Sequence, residues 1–325
     1  MKNQKNTSIT ANATEIVSFA IYSATDSSLR FYRSTSVPAQ GSTYNSRAVT
    51  AIYQRVNELN ATSSTGVPWS SYATSIKTVS IEHENIKPVS TAYWFNGCSY
   101  MTTGSFARLN MSKCTNMACM FGGAGNLTSS IQISGLENWN TSNVINMSSV
   151  FSAMGYYKTA QTTTTTVVIG DLSRWNTSKV TTMKGMFSDT ACFSAFNVGN
   201  IGNWDTSNVT DMSFMFNACG KMVGNSVGSN TWYVGDISKW NVSKVRNFSF
   251  MFNEVAKYNS SATVPTNLSK WNTSSATDMR YMFSYAWYYK SYSQNLSGWN
   301  VNNVTAYGNF NDHATGKVTA PRWRY

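Results

Sequence analysis

One sixteen-residue phrase keeps returning along the chain: "LSRWNTSKVTTMKGMF" at 172–187, "IGNWDTSNVTDMSFMF" at 201–216 and "ISKWNVSKVRNFSFMF" at 237–252. Self-similarity of this kind constrains a fold more tightly than composition does. Each copy must bury its apolar face against its neighbours. With the tryptophan at slot zero, Trp139, Trp175, Trp204, Trp240, Trp271 and Trp299 occupy it, and Leu109 fills it in an earlier copy. The intervals from Leu109 onward are 30, 36, 29, 36, 31 and 28 residues. We number these copies repeats 1 to 7. Trp139 to Trp204 and Trp175 to Trp240 are both 65 residues, so a long–short pair is the candidate duplicated unit.

The consensus is L-x-x-W-x-T-x-x-V-x-x-M-x-x-M-F. Its first half has leucine-rich-repeat spacing, and slots 0 and +2 would share one face of a strand. Apolar residues at +5, +8, +11 and +12 then predict one face of a short helix or 3₁₀ turn. Serine at +3, as in Ser142, Ser178 and Ser207, is placed to cap that turn. The expected fold is a leucine-rich-repeat-like solenoid of short parallel strands and helical turns, with Trp, Val, Met and Phe columns inside. Residues 104–312 form the solenoid and 76–103 a degenerate first repeat, in which Phe95-Asn96-Gly97-Cys98 parallels Phe216-Asn217-Ala218-Cys219. Residues 1–75 read as a small β-rich capping or attachment module, and 313–325 as a tail. In the module, "EIVSFAIYSATDSSLRFYRS" reads as two strands about a turn, and "AVTAIYQRV" as a third strand or a short helix.

The phrases "WNTSKVTTMKGMF" and "WDTSNVTDMSFMF" resemble the bacterial surface-protein repeat family first described in mycoplasmas, of DUF285 type, regarded as distantly related to BspA-type leucine-rich repeats. The resemblance covers about residues 104–312. It implies surface exposure and supplies no catalytic residues.

Only 12% of residues are charged, yet the net charge is +11, which favours anionic partners. On the expected strand, slots −1, +1 and +3 face outward. Slot −1 includes Arg108, Arg174, Lys239 and Lys270, and slot +1 holds Asn176, Asn241 and Asn272, so this face is a candidate site for sugars or anionic polymers. The bland reading of the Asn column is hydrogen bonding from one repeat to the next. The second candidate set is aromatic and lies in loops: Tyr156, Tyr157, Trp232, Tyr233, Trp287, Tyr288 and Tyr289. Two insertions, 156–171 and 221–236, emerge between repeats.

Catalysis has little to stand on. The two histidines, His83 and His313, lie outside the regular repeats. The recurrent carboxylates share their slots with asparagine (Asp171 and Asp236 with Asn200; Asp211 and Asp278 with Asn146), which reads as turn hydrogen bonding. No phosphate-binding glycine motif occurs, and the five cysteines show no CxxC pair. The expectation is no enzyme, no cofactor and no metal, with nucleic acid not expected as a partner. Expected partners are host or cell-surface glycans or proteins, or subunits of the protein's own assembly, itself included. No apolar run reaches signal-peptide or membrane-spanning length. A trimmed chain, a cytosolic protein and a phage protein all fit that fact. The function expected is recognition or adhesion at a bacterial or virion surface, and the alternative is a structural virion or surface-assembly component.

Overall fold

The computed structural model describes residues 15–156, 166–191, 196–221, 232–259 and 262–323. Strands β1 (Val17–Ser23), β2 (Ser28–Ser34), β3 (Thr43–Tyr44), β4 (Arg47–Ala48) and β5 (Ala51–Gln54) form the N-terminal part. The two strands expected around the turn at Asp26 are present as β1 and β2. The ambiguous third element is the strand β5, followed by a 3₁₀ turn at Val56–Glu58.

The N-terminal strands are not set apart from the repeats. One seven-stranded sheet runs β5-β1-β2-β6-β7-β8-β9, with β6 (Thr78–Ile81), β7 (Thr103–Ser105), β8 (Ser130–Ser134) and β9 (Thr166–Val168). Pairing is antiparallel through β5, β1 and β2, and parallel from β2 onward. Two further parallel pairs form separate two-stranded sheets, β10 (Phe196–Asn197) with β11 (Trp232–Tyr233), and β12 (Gln294–Asn295) with β13 (Val318–Thr319).

A second ladder runs up the repeats at slot +7. Asn116, Asn146, Thr182, Asp211, Asn247, Asp278 and Ala306 bridge in parallel, each to the next. From there the chain turns repeatedly while bonding to its neighbour. In repeat 1 the N–H groups of Met117, Cys119, Phe121 and Gly123 donate to the carbonyls of Asn146, Ser148, Val150 and Ser152. The degenerate repeat does the same one rung earlier, with Thr91, Tyr93, Phe95 and Gly97 donating to 116–122. The fold is therefore a repeat fold of sheet ladders and turns.

Two local expectations are corrected. The W-x-T segment is not a paired strand. Residues −3 to −1 form a 3₁₀ turn in several repeats, as at Ile201–Asn203 and Ile237–Lys239, and the tryptophan N–H bonds back to slot −3 of its own repeat. The second half is not helical either. Slots +10 and +14 lie in the left-handed region, as at Ser149 and Ala153 or Phe214 and Ala218, so right- and left-handed turns alternate. That alternation aims every second N–H at the adjacent repeat, which a continuous helix would direct along its own axis. The three-residue spacing of apolar side chains is common to both arrangements.

The inner columns are as expected. Trp139 to Trp299 stack with ring centroids 5.9–6.5 Å apart. Phe121 to Phe283 stack at 5.4–5.7 Å. Met147, Met183, Met212 and Met279 are fully buried. The recurrence of Trp rather than Phe at slot zero has a polar cause. Each indole N–H donates to the slot −3 carbonyl of the preceding repeat: Trp139 to Phe106, Trp175 to Leu136, Trp204 to Leu172, Trp240 to Ile201, Trp271 to Ile237 and Trp299 to Leu268, at 2.8–3.2 Å. The ring supplies apolar burial, and its N–H satisfies an inward carbonyl. Thr141, Thr177, Thr206 and Thr273 likewise donate to the slot +1 carbonyl of the following repeat.

Cys98 and Cys219 are matching small core residues, both fully buried, and burial pushes the Cys98 thiol up to about 12. Residues beyond 312 are more than a tail. Val318–Thr319 pairs with β12, and Trp323 stacks on Tyr307 at 4.6 Å.

Candidate functional site

The outward corner begins after the tryptophan, where the chain must reverse. Its turn is set by the slot +1 side chain. The Oδ1 atoms of Asn110, Asn140, Asn176, Asp205, Asn241 and Asn272 accept the N–H of the serine at +3, at 2.9–3.1 Å. The cap is thus the Asn or Asp, and the serine is the capped residue, reversing the assignment expected from sequence. Nor does the Asn column bond from repeat to repeat. Its oxygens are used locally, while the Nδ2 groups of Asn140, Asn176, Asn241 and Asn272, on exposed residues, have no partner among the described residues. The same Asx geometry recurs at slot +7, where Asn146, Asp211, Asn247 and Asp278 accept from residue +9. It also recurs at slot −4 in Asp171 and Asp236. The interchange of Asn and Asp at these slots is turn chemistry, as their sequence pattern indicated.

Arg174, Lys239 and Lys270 are exposed at slot −1 beside the amide file, and Arg108 is exposed with its guanidinium donating to the Glu82 carbonyl at 2.6 Å. Slots −1 and +1 share one surface: Arg108, Asn110, Asn138 and Asn140 line a groove of about 320 Å³. A second file of cations, overlooked in the sequence, stands at slot +4: Lys113, Lys179 and Lys244. Lys179 Nζ donates to Asn143 Oδ1 at 2.7 Å, and Lys244 Nζ to Asn208 Oδ1 at 2.8 Å, so both ammonium groups are held against the preceding repeat. Among the described residues none of these seven cations forms an ion pair. The signal for the second file was a lysine five residues after each of Arg108, Arg174 and Lys239.

Acids are few here: Glu84 lines the groove with Arg108, and Asp205 and Asp236 are tied to the turns. Hydrogen bonds from Ser207 hold the Asp205 carboxyl below its usual range, with a smaller contribution from Lys244. Asp236 is held down chiefly by Ser238, with Lys239 and Lys270 nearby.

The aromatic candidates separate. Trp232 and Trp287 are fully buried, which corrects their assignment to exposed loops. Trp232 belongs to β11 and packs on Phe196, and Trp287 packs on Phe252. Neither indole N–H has a partner among the described residues. Tyr233 is exposed in an open groove with Val168, Asp171, Asn197 and Asn200. Tyr156 is half-buried, and Tyr157 lies outside the described residues, as do most of both insertions. Tyr288 and Tyr289 are exposed and join a C-terminal cluster with Tyr258, Tyr285 and His313. Lys257 Nζ lies 3.7 Å from the Tyr285 ring centre, a cation–π contact, and Tyr285 stacks on His313 at 3.9 Å.

Among the described residues there is no group of three or more His, Cys, Asp or Glu side chains able to hold a metal ion, and no helix long and apolar enough to cross a membrane. The model of a family described as Mycoplasma protein of unknown function, DUF285, matches the chain repeatedly, at residues 89–160, 134–235, 156–263 and 222–320. No curated protein and no solved structure matches it.

Proposed function

The chain belongs to the Mycoplasma protein family of unknown function DUF285, and on that premise we propose that it is a non-catalytic recognition protein displayed on a bacterial or virion surface, binding an acidic glycan or related anionic polymer. In this reading the stack is a leucine-rich-repeat-like solenoid and the Asn corner is its binding surface. The observation that carries the reading is the corner itself. Unpaired cations flank a file of amide donors that the fold leaves unused. Amides suit sugar hydroxyl and acetamido groups, and cations suit acidic substituents. The exposed tyrosines at the C-terminal end add aromatic faces of the kind that anchor interfaces.

Purified full-length chain should bind acidic glycans on an array at low salt and lose them as salt rises. Changing Arg174, Lys179, Lys239 and Lys244 together to Gln should remove most of that binding without lowering the melting temperature. Absence of binding to any acidic glycan or polymer at low salt would overturn the reading.

A structural role in an assembly is favoured by a different observation. The N–H groups of Tyr307, Asn309, Asn311 and His313 in repeat 7 occupy the slots that bond onward in the other repeats, and they have no partner among the described residues. An open rung of this kind accepts an added strand. Light scattering on the purified protein tests it, since a stable oligomer that binds no glycan favours assembly.

A further inference from the structure

Over repeats 1 to 5 the cations on the Asn corner come in pairs, and the pairs skip repeats; repeat 6 adds a single cation, Lys270, with Ser275 at slot +4. Repeats 1, 3 and 5 carry Arg108 with Lys113, Arg174 with Lys179, and Lys239 with Lys244 at slots −1 and +4. In repeats 2 and 4 the same slots hold Asn138 with Asn143 and Asn203 with Asn208. At slot +4 the alternation also links repeats, since Asn143 and Asn208 donate to the carbonyls of Ser112 and Ser178 and accept from Lys179 and Lys244, but no such bond accounts for it at slot −1 of repeats 2 to 5. The Asx turn is the same in charged and uncharged repeats, and the parallel ladder runs through all of them.

At slot zero, just inside the corner, the tryptophan rings lie 5.9–6.5 Å apart, so charged rungs two repeats apart recur roughly every 12 Å, wider than twice the strand spacing of about 4.8 Å. Repeat 4, an uncharged rung, places the acid Asp205 in the amide file, beside the Lys244 of the next repeat. A polymer with an anionic group at every backbone unit would set negative charge against Asp205. A polymer with its anionic groups one disaccharide apart would set a neutral sugar there.

We propose that the Asn corner binds a linear glycan laid along the stack axis, with one acidic group per disaccharide in register with the cation pairs of repeats 1, 3 and 5. This rests on the reading of the corner as a polyanion-binding surface and specifies the polymer. Acidic groups sit between the slot −1 and slot +4 cations of the odd repeats. Neutral sugars cross repeats 2 and 4, where Asn140 Nδ2 and the exposed Asn138 and Asn203 offer uncharged contacts. Lys179 and Lys244 are already held toward the even repeats by Asn143 and Asn208, which limits the ordering needed on binding.

A charge-conserving shift tests the register. Arg174→Asn with Asn203→Arg moves one cation by a single repeat and leaves the net charge unchanged. Both side chains are exposed and unbonded among the described residues, so melting temperature serves as the folding check. The probes are hyaluronan oligosaccharides, with one carboxylate per disaccharide, and polyphosphate of matched length. The expected result is tighter binding of hyaluronan by the parental chain. The shifted variant should lose about fivefold in hyaluronan affinity, and its slope of log affinity against log salt should shrink by about one. Asp205→Asn should strengthen polyphosphate binding and leave hyaluronan within about twofold. Equal hyaluronan affinity and slope for shifted and parental chains, or a parental preference for polyphosphate, overturns the register while leaving polyanion binding standing. Binding of neither probe, nor of any other acidic polymer, overturns both.

Discussion

Inside the stack every repeat contributes nearly the same side chains. Trp175, Val180, Met183 and Phe187 of repeat 3 have Trp204, Val209, Met212 and Phe216 as counterparts in repeat 4, all buried. On the outward corner the same two repeats share their turn, but Arg174 and Lys179 face Asn203 and Asn208. The interior therefore has a period of one repeat, and over repeats 1 to 5 the cation pairs on the corner have a period of two, with Lys270 of repeat 6 outside it. Stacking explains the first, because a side chain in an inner column must fit the one above and the one below. It places no demand on slot −1, while at slot +4 Asn143 and Asn208 bond to the repeats on both sides. The difference separates residues that hold the fold from residues free to serve something else.

The widest gap should come from deleting an inner residue and an outer one of the same pair of repeats. Trp204→Ala should cost about 3–5 kcal/mol in urea unfolding, chiefly through the cavity it leaves, with the loss of one of the two hydrogen bonds to the Leu172 carbonyl. Arg174→Gln should stay within about 0.5 kcal/mol. Similar midpoints for the two variants would break the division between inside and corner.

A finer cut lies within the interior. Trp204 and Trp232 are both buried, but among the described residues only Trp204 has a partner for its indole N–H. Replacing either by Phe removes comparable volume. The Trp204 change also removes one hydrogen bond to the Leu172 carbonyl, which keeps the Trp175 N–H, and adds about 1 kcal/mol, whereas the Trp232 change removes a donor with no partner among the described residues. Trp204→Phe should therefore be the more destabilising. The reverse order would mean that ring packing alone fixes the Trp column.

On the corner itself the Asn file joins structure to binding. Asn176→Ala should lose about 1 kcal/mol with its cap, while Asn176→Asp should be close to neutral in stability, because Asp205 fills the same slot. The acid replaces an open amide donor between Arg174 and Lys179, so Asn176→Asp should weaken binding of acidic glycan. Melting temperature and glycan affinity should move independently here. If they move together, the amide does nothing beyond capping.

Much of this division was legible in the sequence. The inner columns could be placed because apolar spacing survives whichever backbone carries it. The backbone itself was misread for the same reason: spacings of three and four describe a helix and also a run of alternating turns. What distinguishes them is the left-handed backbone at slots +10 and +14, filled by Phe214, Phe250 and Glu254 as well as by Gly185, so no glycine signature marks it. The cation file at slot −1 was visible, and the file at +4 was hidden only by the absence of a repeat-by-repeat charge count. Trp232 and Trp287 were misplaced because nothing local separates a buried tryptophan outside the repeat slot from one on a loop. Their burial depends on Phe196 and Phe252, 36 and 35 residues away in the chain.

The smallest expected effect concerns a carboxylate built into the surface beside the tyrosine cluster. Glu254 pairs with Lys221 and, at 2.8 Å, with Lys257. Burial alone would raise its carboxyl, but hydrogen bonds and charge from the two lysines outweigh burial and hold it below the usual glutamate range. A depressed folded value means that the contribution is complete above the unfolded value and is lost as pH falls through the folded one. Asp189 works in the opposite sense, since burial raises its carboxyl and folding then favours its protonated form. The pH dependence of the whole protein mixes the two. The difference between wild type and Glu254→Gln isolates Glu254. That difference should be under about 1 kcal/mol at pH 7, because the side chains are partly exposed, and it should close as the pH is lowered to 3. Raising the salt should shrink it at pH 7 as well. A gap that is the same at every pH would mean that Glu254 holds this corner by packing rather than by charge, and that the lysine beside Tyr285 is positioned by its ring contact alone.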